Sequence, residues 1–230
     1  MSIISTFGEL FDKTLSPAFA NYTASNDAFE VDEHDPNPSI KTRHLRVEQT
    51  GAVFASFNYM LVKGMDDITK KRSSLLEDHD CDGVAIKTYL GQDGLVFSEL
   101  KSKFSTQKVY EAFQQMTHSF LKMHAMLSLC KDYALDDVSL HFIAACQCFE
   151  DKDQEVGIYN RLSKEEQVGK NTFVGKFMRR LIEKHELIVK FSEVANVWNL
   201  PLHQTLVDKE IKLTLQMTQN YGDSSVVYIY

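Results

Sequence analysis

One stripe of apolar residues constrains this chain more than any other feature. Val109, Phe113, Met116, Phe120, Met123, Leu127, Cys130 and Ala134 recur at alternating intervals of four and three residues. That spacing places them all on one face of a helix, as in a heptad seam. Such a helix must bury this face, within its own fold or against a second chain. Tyr110 and Leu121 widen the face beyond a narrow seam, which favours packing inside the chain.

The other periodic segments predict a bundle built around it. Residues 2–22 place Ile3, Ile4, Phe7, Leu10, Phe11 and Leu15 on one helical face, with Ser16-Pro17 either breaking the helix or capping a second turn. A long helix is expected from about 46 to 78, with Val53, Phe54, Phe57, Met60, Leu61, Met65 and Ile68 inward. Asp136 or Asp137 caps another, through Val138, Phe142, Ala145 and Phe149. Asn171 or Thr172 starts a last one, with Phe173, Phe177, Leu181, His185, Ile188 and Val189 inside. Only ten Gly and four Pro punctuate the sequence, which also favours helices. The expected fold is therefore all-α: a helical bundle of five to seven helices forming a single domain over residues 1–230.

Three stretches stand apart. Residues 24–41 carry Asp27, Glu30, Asp32, Glu33 and Asp35 without a basic residue among them and close on Pro36 and Pro38, so an acidic exposed loop is expected. Residues 79–94 contain Gly83, Gly91 and Gly94 and suit neither a helix nor a simple loop. Towards the end of the sequence, Ile211, Leu213, Leu215 and Met217 alternate with polar residues, and 226–230 is β-rich. A short β-hairpin within 206–230 is expected, with a helix continued to about 219 as the competing reading.

Net charge bounds the partners. At −7, with a pI of about 5.6, the chain lacks the basic excess of a free-standing DNA-binding protein. No stretch approaches the roughly 18 apolar residues of a transmembrane helix. Cys81, Cys130, Cys146 and Cys148 form no Cys-x-x-Cys pair, and the opening residues lack a positive n-region. Free thiols in the cytoplasm or another reducing compartment are expected.

Several motifs approach known chemistry. Asp78-His79-Asp80-Cys81-Asp82-Gly83 opens like a calcium-binding EF-hand loop, but Tyr89 stands where a bidentate acid is required. The run also resembles the acidic motif of TOPRIM and DHH domains, yet the preceding 70–77 is polar rather than a hydrophobic strand. Gly169-Lys170-Asn171-Thr172 lacks the first glycine and the magnesium-binding hydroxyl of a P-loop. His141, Cys146 and Cys148 do not have the spacing of a structural zinc site.

Two constellations resemble helical enzyme families. His44, then His79-Asp80, then Asp136 or Asp137 follow the order and spacing of HD-domain phosphohydrolases. That resemblance implies a divalent metal held by His44, His79, Asp80 and Asp137 and a metal-activated water attacking a phosphoester. Arg180 and His185 have the Arg-x4-His spacing of HEPN ribonucleases, which implies an arginine on phosphate charge and a histidine as acid or base.

The preferred reading is a non-enzymatic interaction or assembly module acting through protein–protein contacts, with no cofactor unless the metal reading holds. Its second support is local charge. Lys170, Lys176, Arg179, Arg180, Lys184 and Lys190 face only Glu183 and Glu186 across 170–190. Such a surface suits an acidic protein partner, self-association, RNA or an anionic membrane, and equally the chain's own acidic 27–35 segment. Lys176, Arg179, Arg180 and Lys184 are the expected contact residues.

Overall fold

The helical stripe forms as expected up to Leu127, with Cys130 and the exposed Ala134 beyond the helix, but it packs on a sheet. The computed structural model describes residues 3, 6–7, 23–33, 42–57, 80–168, 172–195 and 202–230. Eight strands dominate it: β1 (Thr23–Asp32), β2 (His44–Phe57), β3 (Gly83–Tyr89), β4 (Gln92–Lys101), β5 (Ser139–Cys146), β6 (Glu186–Lys190), β7 (Glu210–Met217) and β8 (Ser225–Ile229). They make one mixed sheet in the order β1-β2-β3-β4-β5-β7-β6, with β8 pairing β2 off this path. β4, β5 and β7 run parallel, and the hairpins β1–β2 and β3–β4 are antiparallel. The helices are α1 (Thr106–Leu127), α2 (Lys152–Val168), α3 (Arg179–Lys184), α4 (Phe191–Ala195) and α5 (Gln204–Val207), with a π-helical turn, Val174–Met178, leading into α3. The all-α bundle is thus overturned: the fold is mixed α/β.

Helix α1 starts at Ser105, whose hydroxyl accepts the Lys108 N–H at 3.0 Å. Its stripe meets one face of the sheet. Phe120 packs against Phe97 of β4, Phe142 of β5 and Phe191 of α4, with ring centroids 5.9, 6.4 and 5.3 Å away. Val109, Phe113, Met116, Met123, Leu127 and Cys130 are buried in the same cluster, so the stripe is internal and offers no partner surface.

The misread segments differ in cause. Strand β5 is buried on both faces, and such a strand reads as a continuous apolar run that periodicity cannot tell from a buried helix. Within 46–57, Leu45 and Val47 point inward while Arg46 and Glu48 do not, which is strand alternation. The remainder of that expected helix, 58–78, and most of the N-terminal one lie outside the described residues. Of the expected acidic loop, residues 24–32 belong to strand β1, and 34–41 lie outside the described residues. The helix expected to run past 184 stops at His185, whose φ of +62° ends α3 before β6 begins. The two strands expected within 206–230 both form, but not as a hairpin. β7 lies between β5 and β6, while β8 runs parallel to the first half of β2.

The sheet curls over its second face. Asp27 of β1 stands opposite residues 49–52 of β2, a bulge in which Gly51 takes φ +79° and donates its N–H to Asp27 Oδ1 at 2.6 Å. Beyond the bulge the hairpin and β8 cover β3, β4 and β5. Phe29, Val31, Leu45, Val47, Val226 and Tyr228 pack there on Ala85, Val96, Leu100, Ile143 and Ala145. Gly83 permits the closest approach, since a Cβ there would lie 2.4 Å from a Val31 methyl and 2.5 Å from Ser98 Oγ.

Two substitutions test these layers. Phe120→Ala is expected to lower stability by about 3–5 kcal/mol in urea denaturation, through the cavity left among aromatic rings. Gly83→Ala is expected to cost about 1–3 kcal/mol by overpacking against Val31, measured in the same way.

Candidate functional site

The second face of the sheet carries a polar cluster where β8 crosses β5 and β7. His141 of β5 is buried, with Nδ1 2.7 Å from Tyr230 Oη and Nε2 2.7 Å from Thr214 Oγ1. Burial holds its imidazole well below its ordinary pKa, and the nearby Lys212 and Lys87 ammonium groups push the same way. Lys212 Nζ lies 2.9 Å from Tyr228 Oη and 2.8 Å from Glu186 Oε1, and the Tyr228 hydroxyl donates to the same carboxylate at 2.6 Å. Burial alone would raise the Glu186 pKa, but these two donors outweigh it and hold the carboxyl below its usual range. Lys87 of β3 lies with Nζ 3.5 Å from the centroid of the Tyr230 ring.

This cluster adjoins a cleft of about 700 Å³ at the starts of β5 and β7. Ile188, Lys212 and Ser139 line it together with Asp93, Asp136 and Asp137. Glu186 and Ile188 belong to β6, the last strand of the sheet, so cleft and cluster both border an edge that no other strand covers among the described residues.

The edge itself has a definite polarity. Leu215 N–H donates to His185 C=O and Phe191 N–H to Lys209 C=O, at the two ends of the β6–β7 ladder. With the register Leu187↔Leu213 between them, odd-numbered residues of β6 turn their backbone groups to β7. Glu186, Ile188 and Lys190 therefore turn theirs outward. The Lys190 amide is taken by Glu193 at 3.0 Å. The amide and carbonyl of Ile188 have no partner among the described residues, and its side chain is 68% exposed.

The expected basic residues lie on α3 and on the π-helical turn before it, and α3 packs against β6 and β7. Lys176, Arg180 and Lys184 are exposed and make no ion pair among the described residues. Arg179 is engaged by Glu183 at 3.0 Å and Glu166 at 3.4 Å, so its charge is met locally. The acidic β1 is the opposite end strand of the sheet.

The HD-like set is not assembled. Asp80 pairs with Lys122, whose side chain is 1% exposed, at 2.6 Å. Asp137 lies in a 3₁₀ turn just before β5. The registers Gly83↔Ser98 and Gly94↔Ser139 put these two aspartates beyond opposite ends of a β4 segment about 13 Å long. Ligands of one ion must all come within roughly 2 Å of it. His44 Nδ1 lies 2.8 Å from Asp32 Oδ1, and His79 is outside the described residues. No group of three or more His, Cys, Asp or Glu suited to a metal occurs among the described residues. His185 and Arg180 of the HEPN-like pair are both exposed, and the histidine serves as the left-handed cap of α3. The four cysteines are free, and the Cys81 and Cys146 thiols are pushed up by burial, so neither is an activated nucleophile.

A second polar cluster, which sequence reasoning missed, joins the start of β3 to the end of β4. Glu99 accepts Lys101 Nζ at 2.6 Å and the Asp82 N–H at 3.1 Å, and Asp82 accepts the Leu100 N–H at 2.8 Å. Burial raises the Asp82 carboxyl to about 6 and pushes Glu99 well up, and Glu33 adds to the first shift. The available signal was the Asp78–Gly83 run, which instead suggested metal binding.

The chain matches no protein-family model, no curated protein and no solved structure. Among the described residues, no helix is long and apolar enough to cross a membrane.

The acid pair makes a pH prediction. A carboxyl whose folded pKa lies above its unfolded value binds more protons when folded, so its burial costs stability once pH passes the unfolded value. For Asp82 stability is expected to fall as pH rises from about 4 to about 6, with Glu99 carrying the loss further up, and Asp82→Asn is expected to flatten the slope within that window in denaturation curves.

Proposed function

We propose that this chain is a non-enzymatic protein-binding module that captures an extended acidic segment of a partner as an added strand on β6. One observation carries the reading: the outward backbone amide and carbonyl of Ile188, on an exposed edge strand, are the groups that a strand-adding peptide uses. Backbone pairing would supply affinity, and neighbouring side chains would supply selectivity. Lys176, Arg180 and Lys184 favour acidic residues in the incoming segment, because their charge is not met within the described chain. The neutral, hydrogen-bonded setting of His141 and the engagement of Glu186 by Lys212 and Tyr228 suit a rigid platform behind the edge.

The test uses a fluorescent synthetic peptide alternating Val and Glu, titrated by anisotropy. Ile188→Pro removes the outward N–H but leaves the β6–β7 bonds, which lie on odd residues, so the fold should persist. Binding is expected to weaken at least about tenfold in Ile188→Pro and little in Ile188→Thr, which keeps the amide. Arg180→Glu with Lys184→Glu is expected to weaken binding and remove most of its salt dependence. Equal affinity for Ile188→Pro and the parent chain overturns the strand-addition reading.

A further inference from the structure

Strand β8 is a further sheet edge, and it carries no charge. At the two ends of the β2–β8 ladder, His44 N–H donates to Ser224 C=O and Tyr230 N–H to Glu48 C=O. With the register Leu45↔Val226 and Val47↔Tyr228 between them, even-numbered residues of β8 turn their backbone groups to β2. Ser225, Val227 and Ile229 therefore turn theirs away, and β8 pairs with no other strand among the described residues. The side chains divide in the same way. Val226 and Tyr228 are buried in the second-face core, while Val227 and Ile229 are 48% and 68% exposed. An edge strand is ordinarily guarded by charge, by proline or by a covering element. β1 carries Asp27, Glu30 and Asp32, and β6 carries Glu186 and Lys190, with the Lys190 amide already taken by Glu193. β8 reads Ser-Val-Val-Tyr-Ile and presents three outward backbone residues beside two exposed apolar side chains.

We propose that β8 is a homodimer interface, at which two copies of this chain pair β8 with β8, antiparallel, about a twofold axis at Val227. In that pairing Val227 exchanges both of its backbone bonds with Val227 of the second copy. Ser225 and Ile229 stand at equal distances along the strand from Val227, so each lies opposite the other residue of the second copy. All three outward residues thus find partners at once, which is the self-complementarity that a twofold contact requires. On the outer face the two Val227 side chains meet, and each Ile229 lies across from a Ser225. No charge enters the new ladder. The neighbouring row on β2 places Arg46 beside Val227 and Glu48 beside Ile229. The two Arg46 residues would stand three strand spacings apart, about 14 Å. That exceeds the screening length of about 8 Å at physiological salt. Each Arg46 is also already met by Glu30 and Glu48. An acidic or basic segment finds no charge to match on β8, whereas a second uncharged copy finds a full set of backbone and apolar partners. Five paired residues make a small contact beside the roughly 1,200–2,000 Å² of a standard interface, so the dimer is reversible and depends on concentration. The contact leaves β6 untouched and is independent of peptide capture there.

The experiment follows the full chain by sedimentation velocity from about 1 µM to about 200 µM, where the sedimentation coefficient is expected to rise from monomer towards dimer. Val227→Lys and Val227→Glu each bring like charges together at the twofold axis. Each is expected to weaken self-association at least about tenfold, with the circular dichroism spectrum unchanged. An equimolar mixture of the two variants is expected to restore the dimer, because the facing charges are then opposite. Ile188→Pro is expected to leave the dimer intact, which separates this contact from capture at β6. A parent chain that stays monomeric throughout the range overturns the proposal. So does a dimer that survives in Val227→Lys, a mixture of the two folded variants that remains monomeric, or loss of the dimer in folded Ile188→Pro.

Discussion

The packing of the α1 stripe onto β4 and β5 is the contact on which the rest of the molecule depends. Phe120 stands among Phe97, Phe142 and Phe191, so one helix, two central strands and a later short helix share a single aromatic contact. Fully burying side chains of this size contributes about 1.5–3 kcal/mol each, and the cluster draws them from sequence-distant segments. With this face filled by apolar groups, polar chemistry is confined to the opposite face, the strand ends and the edges.

The opposite face is shaped by the bulge at Asp27 and Gly51. It lets β2 serve two neighbours on one side, β3 with its second half and β8 with its first. The curl carries Tyr228 and Tyr230 over His141 and Lys212, and each buried polar atom of His141 finds a hydroxyl there. Such a network is stabilising only when satisfied, because a buried donor or acceptor without a partner costs about 1–3 kcal/mol. The same enclosure that satisfies His141 also half-buries Lys87 against the Tyr230 ring.

Legibility in the sequence varied with how local the cause was. The helix within 107–134, the basic run around 176–184 and the strand character of 211–217 were readable, since each rests on spacing or charge within a short window. The turn at Leu90-Gly91 was punctuated but not recognised as the tip of the β3–β4 hairpin. Strand β5 was read as helix because a strand buried on both faces has no polar side to betray its period. The candidate site was hidden for a different reason. Lys87, His141, Glu186, Lys212 and Tyr230 belong to five separate segments and form no motif along the chain.

The amino-acid order alone determined that α1 would be a helix with one buried face, because a stripe repeating every three and four residues has no other way to leave water together. It also determined the local charge of 176–184. Tertiary structure decided what that face would bury against, a sheet rather than other helices. It decided, too, that β6 would end the sheet among the described residues and that Lys87 would lie over the Tyr230 ring. These outcomes depend on strand order and register, in which partners far apart along the chain become neighbours through backbone hydrogen bonds that are the same for every residue type.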